Sequence, residues 1–386
     1  MELYLHVPFC AQKCQYCDFA SYAGRMQERD RYVQAVLTEA QARASSLPAT
    51  AMETVFIGGG TPSVLSPDQL DTLLCGIHAL FPVASGAEYT TEANPGTLTA
   101  EWLDVAVSHG VNRLSLGMQA FQPQLLKTLG RIHTFSEVAA SVELARNAGL
   151  HNISLDLMFG LPGQTRADWL ESLHAAISLQ PQHLSCYGLI PEEGTPLWRK
   201  LESGELSLPD EETERAMYDD ALTRLAQHGY IQYEISNFAK EGCACRHNLG
   251  YWRQIPYLGL GCSASSMLPD ASGQCSYLRE TNPASLDDYI AMTAHSAWHN
   301  RAVEPIFPAD ARFETLMLGL RTIEGVSEHA YADMHGEPLR HRYGETLRRL
   351  QQNGLLDYVD GCWRLTRRGM DVQNAVLVEL MEVDDP

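Results

Sequence analysis

Apolar positions in the first half of the chain follow two alternating rhythms. Six short runs rich in β-branched and aromatic residues, at 2–9, 54–60, 87–94, 113–119, 153–160 and 183–190, read as strands. Between them, 30–44, 68–81, 100–110, 135–149 and 167–179 carry apolar residues at helical spacing, with Gly at or near several C-terminal ends. Alternating strands and helices predict a parallel sheet covered by helices. Six such units point to an α/β fold of the incomplete (β/α)6 barrel type over residues 1–240, with an open doubly wound sheet as the alternative.

A helix over 210–228 leads into a last extended run at 230–239. Beyond residue 300 the rhythm changes. Segments 311–325 and 338–356 read as helices, 357–366 as a hairpin turning near Asp360 and Gly361, and a final helix starts at Arg368. That order predicts a winged-helix-like C-terminal domain over 301–386, reached through a connecting region at 241–300.

Charge and composition narrow the partners. A formal net charge of −20 argues against a phosphate-backbone ligand, so no nucleic acid is expected. The C-terminal domain carries 10 Arg and no Lys against 15 Asp plus Glu, which favours a structural or partner-docking role over DNA binding. There is neither a signal-peptide pattern nor a long uninterrupted apolar segment, and a cytoplasmic location is expected. Transient docking at a membrane through a protein partner stays open. Ten Cys in 386 residues do not suggest a disulfide framework. Most, such as Cys75 in a helical pattern and Cys186 in a strand pattern, are expected to be small buried residues.

Cys10, Cys14 and Cys17 are different. Their C-x3-C-x2-C spacing closes the first predicted strand, where an α/β barrel places its active site. Three thiolates cannot cap all four irons of a [4Fe–4S] cube, which leaves one iron open to a small molecule. A structural zinc knuckle completed by His6 or a distant Cys is the alternative. The spacing resembles the radical S-adenosylmethionine (SAM) superfamily signature, in which SAM chelates the open iron. Further polar or glycine motifs stand at successive strand ends: Gly58-Gly59-Gly60-Thr61-Pro62, Glu92-Ala93-Asn94-Pro95, Gln119, Arg131 and Asp156. A polar side chain in an otherwise apolar strand asks for a ligand or for a hydrogen-bonding neighbour, and each alone could be structural.

The order Y-x-H-x-P-F-C-x3-C-x2-C, GGGTP, E-A-N-P, G-x-Q-x-F, L-G-R, D-L-M-x-G-L-P-x-Q-T resembles, over nearly the whole chain, one branch of that superfamily. The branch contains oxygen-independent coproporphyrinogen III dehydrogenase and the HemW heme chaperones. The resemblance implies that Tyr4 packs beside SAM, that Gly59, Gly60 and Thr61 hold its amino-acid part, and that Glu92 takes its amino group. It assigns Gln119, Arg131 and Asp156 to the rest of the nucleoside or the carboxylate, and Gly188 to the neighbourhood of the adenine. Phe19 stands where the dehydrogenases carry a fourth Cys, and the first strand begins at residue 2, without their long N-terminal extension. His247-Asn248-Leu249-Gly250-Tyr251-Trp252 resembles the HNxxYW motif of the heme chaperones, with His247 as the expected heme ligand. Cys243 and Cys245 form C-x-C-x-H rather than the C-x-x-C-H attachment pattern, so no cytochrome-type thioether is expected. The resemblance therefore implies three cofactors, namely a [4Fe–4S] cluster, SAM and heme. Its implied partners are apo-hemoproteins, respiratory enzymes among them, and an electron donor such as flavodoxin or ferredoxin. A coproporphyrinogen III dehydrogenase or a radical SAM methyltransferase is the catalytic alternative.

Overall fold

Leu3, Leu5 and Val7 of the first strand, β1 (Glu2–Val7), are buried with Tyr32, Val33 and Val36 of the first helix, α1 (Arg29–Ser46). Tyr4, on the opposite face of β1, lines an internal cavity. The same alternation recurs in β2 (Met52–Gly59), β3 (Val83–Ala93), β4 (Arg113–Gln119), β5 (Asn152–Phe159) and β6 (His183–Gly188). Leu114 and Leu116 join the core while Arg113 and Ser115 look inward; Leu155 and Leu157 do so while Asp156 looks inward. The computed structural model describes residues 1–381, so the last five residues of the expected C-terminal domain lie outside the described residues.

The helices between these strands are α2 (Pro67–Leu80), α3 (Ala100–Ser108), α4 (Pro123–Thr128) with α5 (Phe135–Asn147), and α6 (Arg166–Ser178). Capping boxes start three of them, Ser66 with Gln69, Thr134 with Glu137 and Thr165 with Asp168. Each box ends a loop that follows a strand end, which holds the loop motifs at a defined exit point. Helices α7 (Pro196–Glu202) and α8 (Glu211–Gln227) follow β6.

The main sheet has twelve strands. The run expected at 230–239 is broken into β7 (Ile231–Gln232) and β8 (Asn237–Ala239), which extend the β6 edge antiparallel. On the other side of β1 lies β9 (Tyr257–Leu260), a seventh parallel strand reached after α9 (Arg246–Trp252). Its four residues, one of them Gly259, are too short and irregular to read as a strand, and the pairing comes from β1. Antiparallel β10 (Ser265–Pro269), β11 (Tyr277–Thr281) and β12 (Ala302–Ile306) complete the order β12-β11-β10-β9-β1-β2-β3-β4-β5-β6-β8-β7, and α10 (Leu286–Ala294) lies between β11 and β12. Strand β12 thus carries the main sheet past residue 300, with Pro305 tolerated on its edge.

The C-terminal unit packs α11 (Pro308–Gly319), α12 (Glu328–His335) and α13 (Leu339–Gln352) on a three-stranded sheet. That sheet joins β13 (Val326–Ser327), β14 (Leu356–Val359) and β15 (Cys362–Leu365) in the order β13-β15-β14. Asp360 and Gly361 both take positive φ at the hairpin turn, as that turn type requires. Leu316, Leu347, Leu350 and Trp363 belong to a separate core, giving the winged-helix-like arrangement its own interior. No helix among the described residues is long and apolar enough to cross a membrane.

Candidate radical SAM site and its neighbouring cavity

A cavity of about 480 Å³ lies among the C-terminal ends of the parallel strands. Cys10, Cys14 and Cys17 all line it, and all three are free thiols. Their loop is held at both ends. Phe9 and Cys10 pair with Tyr22 and Ala23, and the Gln15 amide donates to Leu129 O at 2.9 Å. Burial pushes the Cys14 and Cys17 thiols up from their ordinary value, and the Arg131 guanidinium opposes this at Cys14.

Arg131 ties this loop to the sheet. It donates to Tyr16 Oη at 2.8 Å and to Asn94 Oδ1 at 2.7 Å, while Asn94 donates to Thr61 Oγ1 at 2.9 Å. Thr61 in turn points its hydroxyl at Cys10 Sγ, 3.5 Å away. The L-G-R, E-A-N-P and GGGTP motifs therefore form one hydrogen-bonded frame around the cysteines.

The glycine turn is explained first by its own packing. Gly59 has φ of +106°, and a Cβ there would lie 2.3 Å from the His6 ring. Its N–H donates to Glu92 Oε2 at 3.1 Å, the Gly60 N–H to Val7 O at 2.9 Å and the Thr61 N–H to Phe9 O at 2.8 Å. These three donors are occupied within the chain. An ammonium group needs acceptors, and of the turn's carbonyls those of Thr61 and Pro62 already accept from the Val64 and Leu65 amides at 3.1 Å each.

Glu92 stands beside the turn, and burial followed by the nearby Asp156 charge raises it to about 7. Asp156 is raised by burial and accepts from Ser115 Oγ at 3.1 Å. Gln119 has φ of +56° next to a register irregularity between Gly117 and Gln119, a bulge that re-aims its side chain. Gln119 Oε1 and Arg131 Nε are buried without a hydrogen-bond partner among the described residues. Three free thiols in one wall, with orphaned polar atoms and two carboxylates in the same cavity, fit a three-thiolate cluster beside a small zwitterion. Gly188 is not in the wall; Tyr187, one residue earlier, is. Arg113, Ser115, Tyr16 and Phe56 line the cavity although their motifs did not single them out.

Helix α9 forms the floor around His247. The Glu88 carboxylate accepts from the Arg246 and His247 amides at 3.0 Å each, satisfying the first turn of the helix and complementing its positive end. His247 is 1% exposed, with Nδ1 2.7 Å from Thr54 Oγ1 and Nε2 2.9 Å from Tyr251 Oη. Its ring stacks on Phe56 at 5.2 Å, and burial lowers its pKa to about 3. Gly250 is required here because a Cβ would lie 1.8 Å from Glu2 Oε1. Trp252 is outside both cavity walls and stacks under the Arg321 guanidinium at 4.8 Å, joining α9 to the C-terminal unit.

A second cavity of about 610 Å³ adjoins the first, and Tyr4, Phe19, Gly59, Glu92 and Tyr251 line both. Its remaining wall includes Tyr257, Met267, Arg279 and Leu318. Phe19 is 60% exposed at the shared rim.

Residues 4–176 match the Radical SAM superfamily, and residues 307–372 match the HemN C-terminal domain. The chain is 38% identical to heme chaperone HemW of Bacillus subtilis (strain 168), over 97% of each chain. It is 37% identical to heme chaperone HemW of Escherichia coli (strain K12), over 98% of this chain and 97% of that one. In fold it is similar to coproporphyrinogen III oxidase (HemN) from Escherichia coli, a radical SAM enzyme. That match has a TM-score of 0.83 at 22% identity and covers 100% of this chain and 89% of that one. The three-cysteine cavity, the α9 motif beside it and these near full-length relatives agree: the chain belongs to the HemW heme chaperone family of radical SAM proteins.

Proposed function

We propose that this protein binds heme and passes it to apo-hemoproteins, respiratory enzymes among them, while carrying a [4Fe–4S] cluster with SAM in the first cavity. The observation that carries the reading is His247, a buried neutral imidazole in the wall that also holds Cys10, Cys14 and Cys17. Neutral imidazole is the form that ligates iron. To ligate a heme iron, Nε2 would give up its hydrogen bond with Tyr251 Oη, while Thr54 would keep the Nδ1 side fixed. Tyr251 lines both cavities, so a shift of its side chain would open His247 toward the second one.

Cys10, Cys14 and Cys17 would hold three irons, and Glu92 with the carbonyls of the glycine turn would accept from the SAM ammonium. Asp156, Gln119 and Arg131 supply the remaining polar contacts in the same cavity. When bound, the cluster and SAM supply an open iron and one-electron chemistry at the sulfonium, with an electron donor of the flavodoxin or ferredoxin type. A cytoplasmic location, with any membrane docking through a recipient protein, fits this role.

Anaerobically reconstituted protein titrated with hemin is expected to give a near-stoichiometric shifted Soret band that weakens in His247→Ala. No band in the unmodified protein would refute the reading. Conversion of coproporphyrinogen III to protoporphyrinogen, with SAM and reductant present, would replace it with the dehydrogenase.

A further inference from the structure

Cys75 is not the small buried residue its helical pattern predicts. Helix α2 turns it to solvent beside Asp71, one turn earlier on the same face, and His109 reaches the same spot from the C-cap of α3. His109 Nε2 lies 2.8 Å from Asp71 Oδ1. Cys75 Sγ lies 3.9 Å from that oxygen and 3.8 Å from that nitrogen. Among the described residues this is the group of His, Cys and acidic side chains whose ligand atoms all fall within 4.8 Å of one another.

The triangle is close to one face of a zinc tetrahedron. With Zn–S of about 2.3 Å and Zn–N and Zn–O of about 2.1 Å, tetrahedral angles separate sulfur from nitrogen or oxygen by roughly 3.6 Å, and nitrogen from oxygen by roughly 3.4 Å. The sulfur edges differ from this by a few tenths of an ångström. Only the His109–Asp71 edge has to open, and it is short because a hydrogen bond closes it. His78 packs edge-on to the His109 ring at 5.5 Å and supports its orientation.

We propose that Asp71, Cys75 and His109 form a surface site for a thiophilic divalent ion of the Zn²⁺ class, separate from the cluster cysteines. A thiolate with an imidazole selects against Mg²⁺ and Ca²⁺, which take oxygen ligands. Binding releases the Cys75 thiol proton to solvent, and the proton that Nε2 donates to Asp71 leaves that nitrogen by exchange with solvent, which reprotonates the ring on Nδ1, so that Nε2 is free to ligate. No electron is transferred. The ion clips α2 to α3, the helices that follow the glycine turn and the Glu92–Asn94 loop, and leaves a fourth position to solvent.

The test uses the full chain with its cluster already reconstituted, so that Cys10, Cys14 and Cys17 are occupied. Co²⁺ is added, and the difference spectrum is read for the visible bands of a tetrahedral cobalt–thiolate centre. One equivalent is expected, displaced by Zn²⁺, absent in Cys75→Ser and weakened about tenfold or more in His109→Ala. Cys75 is exposed and His109 is partly buried at the C-cap of α3, so iron content serves as the check that both variants keep the fold. No cobalt–thiolate spectrum in the loaded protein, or the same spectrum in Cys75→Ser, overturns the proposal.

Discussion

Glu2 Oε2 and His247 Nδ1 lie 3.9 Å apart in a place that leaves the two side chains 2% and 1% exposed. The distance is that of an ion pair, but the charge states are not. Burial pushes Glu2 up to about 8 and His247 down to about 3. Removing two charges from water costs several kcal/mol each, and with Glu2 Oε2 unpartnered among the described residues little repays it. The neutral pair wins over the middle pH range.

A pH dependence follows with opposite signs for the two groups. Glu2 has a raised pKa, so its contribution is complete below its ordinary value of 4.5 and is lost as pH rises to about 8. His247 has a lowered pKa, so its contribution is present above 6.5 and is lost as pH falls toward 3. Glu2→Gln keeps the shape and removes the first effect. Its thermal stability relative to the unmodified protein is expected to improve from pH 5 to pH 8, by at most about 1.4 kcal/mol per pH unit. A constant difference across that range would show that Glu2 is already charged.

Tyr251→Phe separates a ligand from a structural histidine. The hydroxyl occupies His247 Nε2 at 2.9 Å, and the ring makes an edge contact at 4.8 Å that Phe preserves. If iron takes Nε2, removing the competing hydrogen bond of about 0.5–1.5 kcal/mol should tighten hemin binding by about 2–10-fold. Weaker binding in this variant would mean that Tyr251 itself contacts the heme.

Glu92 should make SAM binding sensitive to pH. Its carboxyl is raised to about 7, so it is partly protonated where an ordinary Glu is fully ionised. Calorimetric SAM affinity of the cluster-loaded protein is expected to rise from pH 6 to pH 7.5. Glu92→Gln should flatten that profile and weaken binding by about 1.5–3 kcal/mol, the range for a hydrogen bond to a charged group. An unchanged slope would move the ammonium site elsewhere.

The strand ends were legible in the sequence because period-2 burial and loop motifs coincide there. Glu92, Gln119 and Asp156 each interrupt an apolar run, and the structure sets all three in one cavity wall. Arg113 was not legible. It opens the expected run at 113–119 without belonging to any motif there, and it is buried with distant residues such as Glu88 and Cys245 near its charge. Strand β9 was missed for a related reason, since its identity depends on pairing with β1 rather than on its own four residues. The HNLGYW hexapeptide revealed a chemical type but not a state. That Thr54 and Tyr251 engage both His247 nitrogens depends on β2 and on one turn of α9, which composition does not encode.

Arg131→Lys probes how the cysteine loop is held. One planar guanidinium spans Tyr16 Oη and Asn94 Oδ1, at 2.8 and 2.7 Å, and lies 5.9 Å from the Tyr16 ring centre. An ammonium keeps the charge but lacks the fork that reaches both partners. Tyr16 sits between Cys14 and Cys17, so losing its anchor releases the segment that carries two of the three thiols. Each charged hydrogen bond is worth about 1.5–3 kcal/mol, so loss of either one corresponds to roughly tenfold or more in the order of the loop. Reconstituted Arg131→Lys is therefore expected to lose iron to a chelator about tenfold faster than the unmodified protein, with an unchanged far-ultraviolet circular dichroism spectrum. Tyr16→Phe, which removes one of the two bonds and keeps the ring, should fall between them. Equal rates for all three proteins would show that the strand pairing at Phe9–Cys10 holds the loop without Arg131.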